Sequence, residues 1–414
     1  MSAERARVLV HLDAAELGSP RVVGRLSRER AGSKSVISFA YEPGWVAAAD
    51  AFPVDPSLPL YEGDQYPSTL PGAFADAAPD RWGRTLLERR EAQLARRERR
   101  SQHQLDDWDF LVGVNDLVRT GALRFSRPDD GVFVDDAPLA VPPLARLREL
   151  EELAREVEDG APAPGGEEER WIAMLLAPGS SLGGARPKAN FRDRSDELWI
   201  AKFPSREDRF DVGAWEYVVW RLAGAAGIVV PEAKLLRLGS AYSTFCARRF
   251  DRDRGRRRLY ASAMTQVGGR DHAEASYLDI AEAIVRLADP DAIDDDLRQL
   301  FRRLVFNVLV GDRDDHLRNH GFLRGPGGWR LAPAFDVNPS PSMGEHSLAL
   351  DASIRSPDLD LVRETAPLYR LSAEQADAIV AEVREAVAGW RAEASALGLP
   401  RDEIERLAPA FAAG

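Results

Sequence analysis

The chain has 414 residues, with 55 Lys and Arg against 67 Asp and Glu, a formal charge of −12, and 44% hydrophobic residues. That length predicts two or three domains, and the composition predicts a globular protein with material for a core. A single cysteine, Cys246, excludes an intramolecular disulfide and a Cys-based zinc cage.

No stretch approaches the roughly 18 to 20 consecutive apolar residues of a membrane span. The opening residues lack the apolar core of a secretory signal, so the expectation is a cytoplasmic protein without membrane contact. The acidic balance argues against bulk nucleic-acid binding by the whole chain. In chain order, two strand-like runs come first, Val8 to Leu12 and Ser35 to Tyr41, followed by extended segments around Pro43, Pro53, Pro56 and Pro59. A basic helical stretch spans residues 81–100, and residues 108–112 lead toward a Pro-, Gly- and Glu-rich tract at 158–169 that reads as a surface linker. Strand-like and turn-like segments alternate from there to about residue 260. Helix is expected beyond, with Leu297, Leu300, Phe301, Leu304, Val305 and Val308 at helical spacing up to Gly311. Ser372 and Gln375 form a capping box before residues 376–390, and Gly398 with Pro400 stops that region. The domains expected are 1–145, a β-rich module; 146–260, a mixed lobe; and 261–414, a helical lobe.

Three constellations carry chemistry. The first is Ser180-Ser181-Leu182-Gly183-Gly184-Ala185-Arg186-Pro187-Lys188, whose small residues permit tight turns and exposed N–H groups near an anion. Taken alone it reads as a hairpin loop before it reads as a nucleotide site. The second is the strand around Lys202, where the lysine either snorkels from a sheet edge or serves as a point charge for phosphates. A following helix buries Val212, Trp215, Val219, Leu222 and Ala226, with Glu216 at the border of that face, placed to pair with Lys202 or to sit in solvent. The third is Gly311-Asp312-Arg313-Asp314-Asp315-His316-Leu317-Arg318-Asn319. It sets Asp314 and Asn319 five positions apart, the separation of base and metal-binding amide in a kinase catalytic loop. Residues 321–331 read as a hairpin that returns the chain to Asp336, beside Asn319, where both could ligate Mg²⁺.

With these motifs in order, the chain resembles the HipA-like serine/threonine kinases, toxin components of HipBA-type toxin–antitoxin systems. The matching segments are 181–188, Ala-Lys-Phe-Pro at 201–204, Arg-Arg-Phe-Asp-Arg at 248–252, 311–319, and Leu-Ala-Pro-Ala-Phe-Asp at 331–336. The N-terminal part adds Phe39, Tyr41, Trp45 and Phe74 to Arg84. The resemblance implies an α+β, protein-kinase-like bilobal fold with a β-rich N-terminal module and a helical C-terminal lobe. It implies ATP and Mg²⁺ as cofactors, Asp314 as catalytic base, Lys202 as the phosphate-pairing lysine, and Asn319 and Asp336 as metal ligands. Gly183, Gly184, Ala185, Arg186, Pro187 and Lys188 would cradle phosphates. Arg248, Arg249 and Phe250 would lie at the adenine, with His316 near the nucleotide or bracing the loop. Ser181 would be an autophosphorylation site that shuts the kinase down. The partners implied are a protein substrate with a serine or threonine acceptor, such as an aminoacyl-tRNA synthetase, and a HipB-like helix-turn-helix antitoxin through which alone DNA is met. The chain departs from the family pattern at Arg248, where the well-studied toxin has glutamate, and at Ala-Ala-Pro-Asp-Arg (77–81).

Two rivals follow from the residues. His316, His320 and His346 with Asp314, Asp315 and Asp336 could form a metal-dependent hydrolase site if His316 and His320 shared a helix. A catalytically inactive nucleotide-binding module is the other. The basic runs 89–100 and 252–258 read as solvated faces in preference to DNA contacts.

Overall fold

The computed structural model describes residues 4–18, 20–31, 34–135, 141–159, 175, 186–268, 275–342 and 344–412. The Gly-rich segment through Ala185, Ser181 included, and all of the linker tract but its first two residues lie outside them. Packing divides the chain into two compact units, Met1–Ile200 with Asp251–Ala261, and Ala201–Phe250 with Ser262–Gly414.

In the first unit an antiparallel sheet runs in the order β4-β3-β2-β1-β5, with β1 Glu4–Leu12, β2 Arg21–Ala31, β3 Lys34–Tyr41, β4 Asp64–Gln65 and β5 Leu123–Ser126. Val8 pairs with Leu26 and Leu26 with Phe39, so one face buries Val8, Val10, Leu26, Phe39 and Phe125. Phe74 closes that core, 5.5 Å from the Phe39 ring and 5.9 Å from Phe125. The long strand β2 is hidden in the sequence by Arg21, Arg25, Arg28, Glu29 and Arg30. Its charges find partners: Glu29 lies opposite Arg5, 3.0 Å away, and the buried Arg28 pairs with Asp106 and Asp109, while Val23 and Leu26 are buried between the charged residues in the chain. The basic stretch is the helix Arg81–Arg97, capped by the Asp80 carboxylate accepting from Gly83 N–H at 2.9 Å.

The run 252–258 departs from expectation. It is not a solvated face throughout, because Arg252 and Arg257 are buried. Arg252 donates to the carbonyls of Leu117, Arg119 and Gly121, and Arg257 to those of Asp116, Arg119 and Gly121. A guanidinium's five donors suit a loop that presents several unpaired carbonyls. Asp251 completes the clasp by accepting from Gly121 N–H at 2.8 Å.

In the second unit the helix Ile293–Val310 is central, and Leu297, Leu300, Phe301, Leu304, Val305 and Val308 are all fully buried on it, as the spacing predicts. Three aspartates in its first turn complement the helix dipole. Gly311 ends it at φ +64°, a left-handed cap that glycine adopts without cost. The helix Val212–Ala225 buries Trp215, Val218, Val219 and Leu222, and the strands Ala233–Leu236 and Thr244–Arg248 pair antiparallel. Gly321–Gly325 and Gly328–Leu331 form the expected hairpin, Phe322 opposite Leu331. The Ser372 capping box opens the helix Ala373–Ala388, but a second helix, Trp390–Ala396, starts where that one was expected to end. Past the Gly398–Pro400 break the chain turns helical again at Arg401–Leu407, which the sequence did not suggest. Among the described residues no helix is long and apolar enough to cross a membrane.

Candidate active site

Lys202 ends its strand in the second unit with its ammonium between two carboxylates, 2.5 Å from Glu216 Oε1 and 2.6 Å from Asp336 Oδ1. Glu216 is buried, so it is the ion-pair partner and not a solvated border residue. Burial works against the lysine's charge, yet the carboxylates of Asp336 and Glu216 outweigh it and raise its pKa above the ordinary lysine value. The Phe245 ring, 5.7 Å away, adds a further face for the cation. Glu216 is held there by its helix, whose first turn is fixed by Asp211: the Asp211 carboxylate accepts from Ala214 N–H and from Ser243 N–H and Oγ–H.

The second group of residues is the loop that begins at Gly311. It is not helical, so His316 and His320 do not share a helix face, which removes the geometry a hydrolase pair requires. Among the described residues no group of three or more His, Cys, Asp or Glu is placed to hold a metal ion. Asp314 is exposed, and its neighbour Asp315 is buried. Asp315 Oδ2 accepts from the Tyr277 hydroxyl, from Asn307 Nδ2 at 2.9 Å and from His320 Nε2 at 2.9 Å. Burial would raise the Asp315 pKa, but His320 and these donors bring it below the ordinary carboxylate value. Asp312 is the opposite case. Burial and the nearby carboxylates of Asp315, Asp336 and Asp314 push its pKa well up and favour its neutral form. His346 pairs with Arg313, and burial together with that cation pulls its pKa down to about 4.

Asn319 is buried, and its Nδ2 donates to the Asp314 carbonyl at 3.4 Å. Its Oδ1 is buried without a hydrogen-bond partner. The hairpin then delivers Asp336 in a left-handed backbone conformation, φ +59°, which aspartate tolerates better than most residues. Phe335 and Val337, on either side of Asp336, line a small cavity together with Asn319, Asp315, His320 and Arg303. The buried, unpartnered amide oxygen of Asn319 and the carboxylate of Asp336 are donor types that a hard divalent cation takes. Phe250 lies with its ring 5.4 Å from Phe335. Arg248 closes its strand with its N–H on the Glu232 carbonyl, Arg249 is buried, and His316 supplies the carbonyl that accepts from Asn319 N–H.

Of the Gly-rich segment, Arg186, Pro187 and Lys188 are described, within the first unit. Lys188 is not an open cation: it is buried, its ammonium 2.6 Å from the equally buried Asp80, and its carbonyl accepts from Trp82 Nε1 at 3.1 Å. Sequence reasoning missed Asp336 as a second partner of Lys202, and it missed the Tyr277, Asn307 and His320 donors. Nothing in a linear pattern marks those three, since each comes from a different element.

A model of the HipA-like C-terminal domain matches residues 180–390, and one of the HipA N-terminal domain matches residues 18–115. Among solved structures the chain superposes on one from the Shewanella oneidensis MR-1 complex of HipA, HipB and operator DNA. The TM-score is 0.67 at 18% identity, covering 98% of this chain and 96% of that one. A weaker likeness, TM-score 0.41 at 15% identity over 54% of this chain and 88% of the other, is to the Helicobacter pylori proinflammatory kinase CtkA. A Haemophilus influenzae protein, provisionally named a kinase, is 25% identical over 196 residues, 41% of this chain. The chain spans 56% of that relative's length. The fold is accordingly α+β, of the HipA type.

Proposed function

The chain belongs to the HipA family, and from that premise we propose that it is a protein kinase acting as a toxin. It transfers the γ-phosphoryl group of ATP to a serine or threonine hydroxyl of a cellular protein. The observation that carries this reading is the ammonium of Lys202 held between Glu216 and Asp336, the strand-lysine and helix-glutamate pair that kinases require for transfer.

In this reading Lys202 directs its charge at the nucleotide phosphates, and Glu216 keeps it extended. Asp314, exposed at the loop surface, orients the acceptor hydroxyl and takes its proton as the hydroxyl oxygen bonds to the γ-phosphorus and the bond to ADP breaks. Asn319 and Asp336 are the residues that would hold Mg²⁺, which when bound offsets negative charge on the phosphates. Phe250 offers an aromatic surface for the adenine, and residues 183–187 a backbone cradle for phosphate. Lys188, already neutralised by Asp80, is better suited to anchor the end of that cradle than to bind phosphate itself. Ser181 is the candidate autophosphorylation site. A HipB-like helix-turn-helix protein is the proposed antitoxin, and DNA is met through it.

The test is transfer of labelled phosphate from ATP into a cell lysate, followed by phosphopeptide mapping. Wild-type chain is expected to label a small set of serine or threonine sites, Ser181 among its own, and Asp314→Ala to label none. Full labelling by Asp314→Ala would defeat the kinase reading. Nucleotide binding without any transfer by wild type would favour an inactive binding module.

A further inference from the structure

The helix that carries Glu216 is gripped from outside the charged cluster by the last stretch of the chain. Glu403, on the Arg401–Leu407 helix, is 8% exposed. One of its oxygens accepts two hydrogen bonds, from Trp215 Nε1 at 2.8 Å and from Asp211 N–H at 3.0 Å. Trp215 is fully buried, and its ring packs 6.1 Å from Trp390 and 6.2 Å from Phe411, which stack on each other at 4.3 Å. Two further contacts flank this one: Arg406 donates to the Arg209 carbonyl at 2.9 Å, and Glu393 pairs with Arg221 at 2.9 Å. The same stretch touches the start of the catalytic loop. A Cβ on Gly311 would lie 2.4 Å from the Ala410 carbonyl oxygen, so the two backbones are in close contact.

Trp215 and Glu216 are consecutive in one helix, and successive side chains diverge by about 100° around its axis. Fixing the Trp215 ring therefore fixes the direction in which Glu216 leaves the helix. We propose that the C-terminal segment, residues 390–411, is a brace that positions Glu216 for Lys202, with Glu403 as its principal positioning residue. This rests on the kinase reading, in which the lysine–glutamate pair must be formed for transfer. Without the Glu403 carboxylate, two buried donors lose their acceptor and the helix loses one of the contacts that set its rotation about its axis.

The experiment uses the full chain and reads kcat and KM for ATP from label transferred into a fixed lysate, with thermal melts as a check on folding. Four variants are compared: Glu403→Leu, Glu403→Gln, Glu216→Gln, and the Glu216→Gln/Glu403→Leu double. The expected result is a folded Glu403→Leu with kcat down about tenfold or more, and Glu403→Gln within about threefold of wild type because its amide oxygen accepts the same two bonds. The double variant is expected to match Glu216→Gln within about twofold, since both changes act through one ion pair. Wild-type kcat in a folded Glu403→Leu, or losses that multiply in the double, would overturn the brace while leaving the kinase intact. If Glu403→Leu does not fold, Trp215→Phe keeps a smaller aromatic ring in place of the indole and removes one donor. An unchanged kcat there overturns the brace, and a fall of about threefold supports it. A wild-type chain that transfers no phosphate overturns both readings together.

Discussion

Asp314 and Asp315 are joined by one peptide bond and differ in everything but type. Asp314 is exposed, and Asp315 is buried under three donors. Removing an exposed carboxylate changes stability within about 0.5 kcal/mol, so Asp314→Ala should fold and melt like wild type while losing transfer. Removing a buried carboxylate strands its donors. Asp315→Ala is expected to cost about 3–5 kcal/mol, read as a lower midpoint in urea unfolding. If Asp314→Ala were the less stable of the two, the division of roles would be reversed. The spacing of Asp314 to Asn319 and the hairpin return to Asp336 were legible in the sequence because both are local. What the sequence could not show is which aspartate faces inward, because that depends on Tyr277, 38 positions from Asp315, and on the direction in which the preceding helix presents Asn307. The same holds for Lys202: Glu216 lies 14 positions away and could be guessed, whereas Asp336 lies 134 away and was not.

At the scale of elements, legibility followed apolar periodicity. The Ile293–Val310 helix, its glycine stop and the Ser372 capping box were readable, because one face is continuously apolar and each end has its own chemistry. Strand β2 was not, since arginines interrupt its alternation and their partners, Asp50, Asp64, Asp106, Asp109 and His103, lie outside the strands β1 and β3 that flank it. The run 252–258 was misread in part for the complementary reason: carbonyls at 116–121 take up the guanidiniums of Arg252 and Arg257, and no sequence pattern announces which carbonyls need a donor. Gly311 tests how tightly the elements are joined. A side chain there meets a left-handed φ that costs about 1–2 kcal/mol, and its Cβ would overlap the Ala410 carbonyl oxygen. Gly311→Ala is therefore expected to destabilise by more than the backbone cost alone, about 2–4 kcal/mol, lowering the thermal midpoint by several degrees. Loss of only the backbone cost would mean that residues 408–411 can move aside. Gly398→Ala is the matched control, left-handed at φ +76° with nothing within 4 Å of its Cβ.

For the whole molecule the charge balance sets two expectations. With a net charge of −12 and part of the 252–258 run buried, the isolated chain should bind duplex DNA weakly, without sequence preference, and lose that binding steeply as salt rises. Fluorescence anisotropy with an operator and a scrambled duplex measures this, and salt-resistant preference for one sequence would contradict it. The second expectation concerns acid. The folded state holds His346 neutral, its pKa depressed from 6.5 to about 4 by burial and by Arg313, and His11 is lowered in the same direction by burial and Arg124. Between those two values the unfolded chain takes up a proton at His346 that the folded chain refuses. Stability is then greatest above pH 6.5 and falls as the pH drops toward 4, by about 3 kcal/mol for a shift of this size. Asp315, with its pKa lowered, carries the loss further in the same direction below the ordinary carboxylate range. Urea unfolding of wild type and His346→Gln across pH 8 to 4 separates the contributions. Wild type should lose stability steadily below pH 6.5, and the variant should show a clearly shallower slope over that interval, with His11 supplying the remainder. Equal slopes in the two proteins would mean that His346 takes up its proton as readily in the fold as out of it.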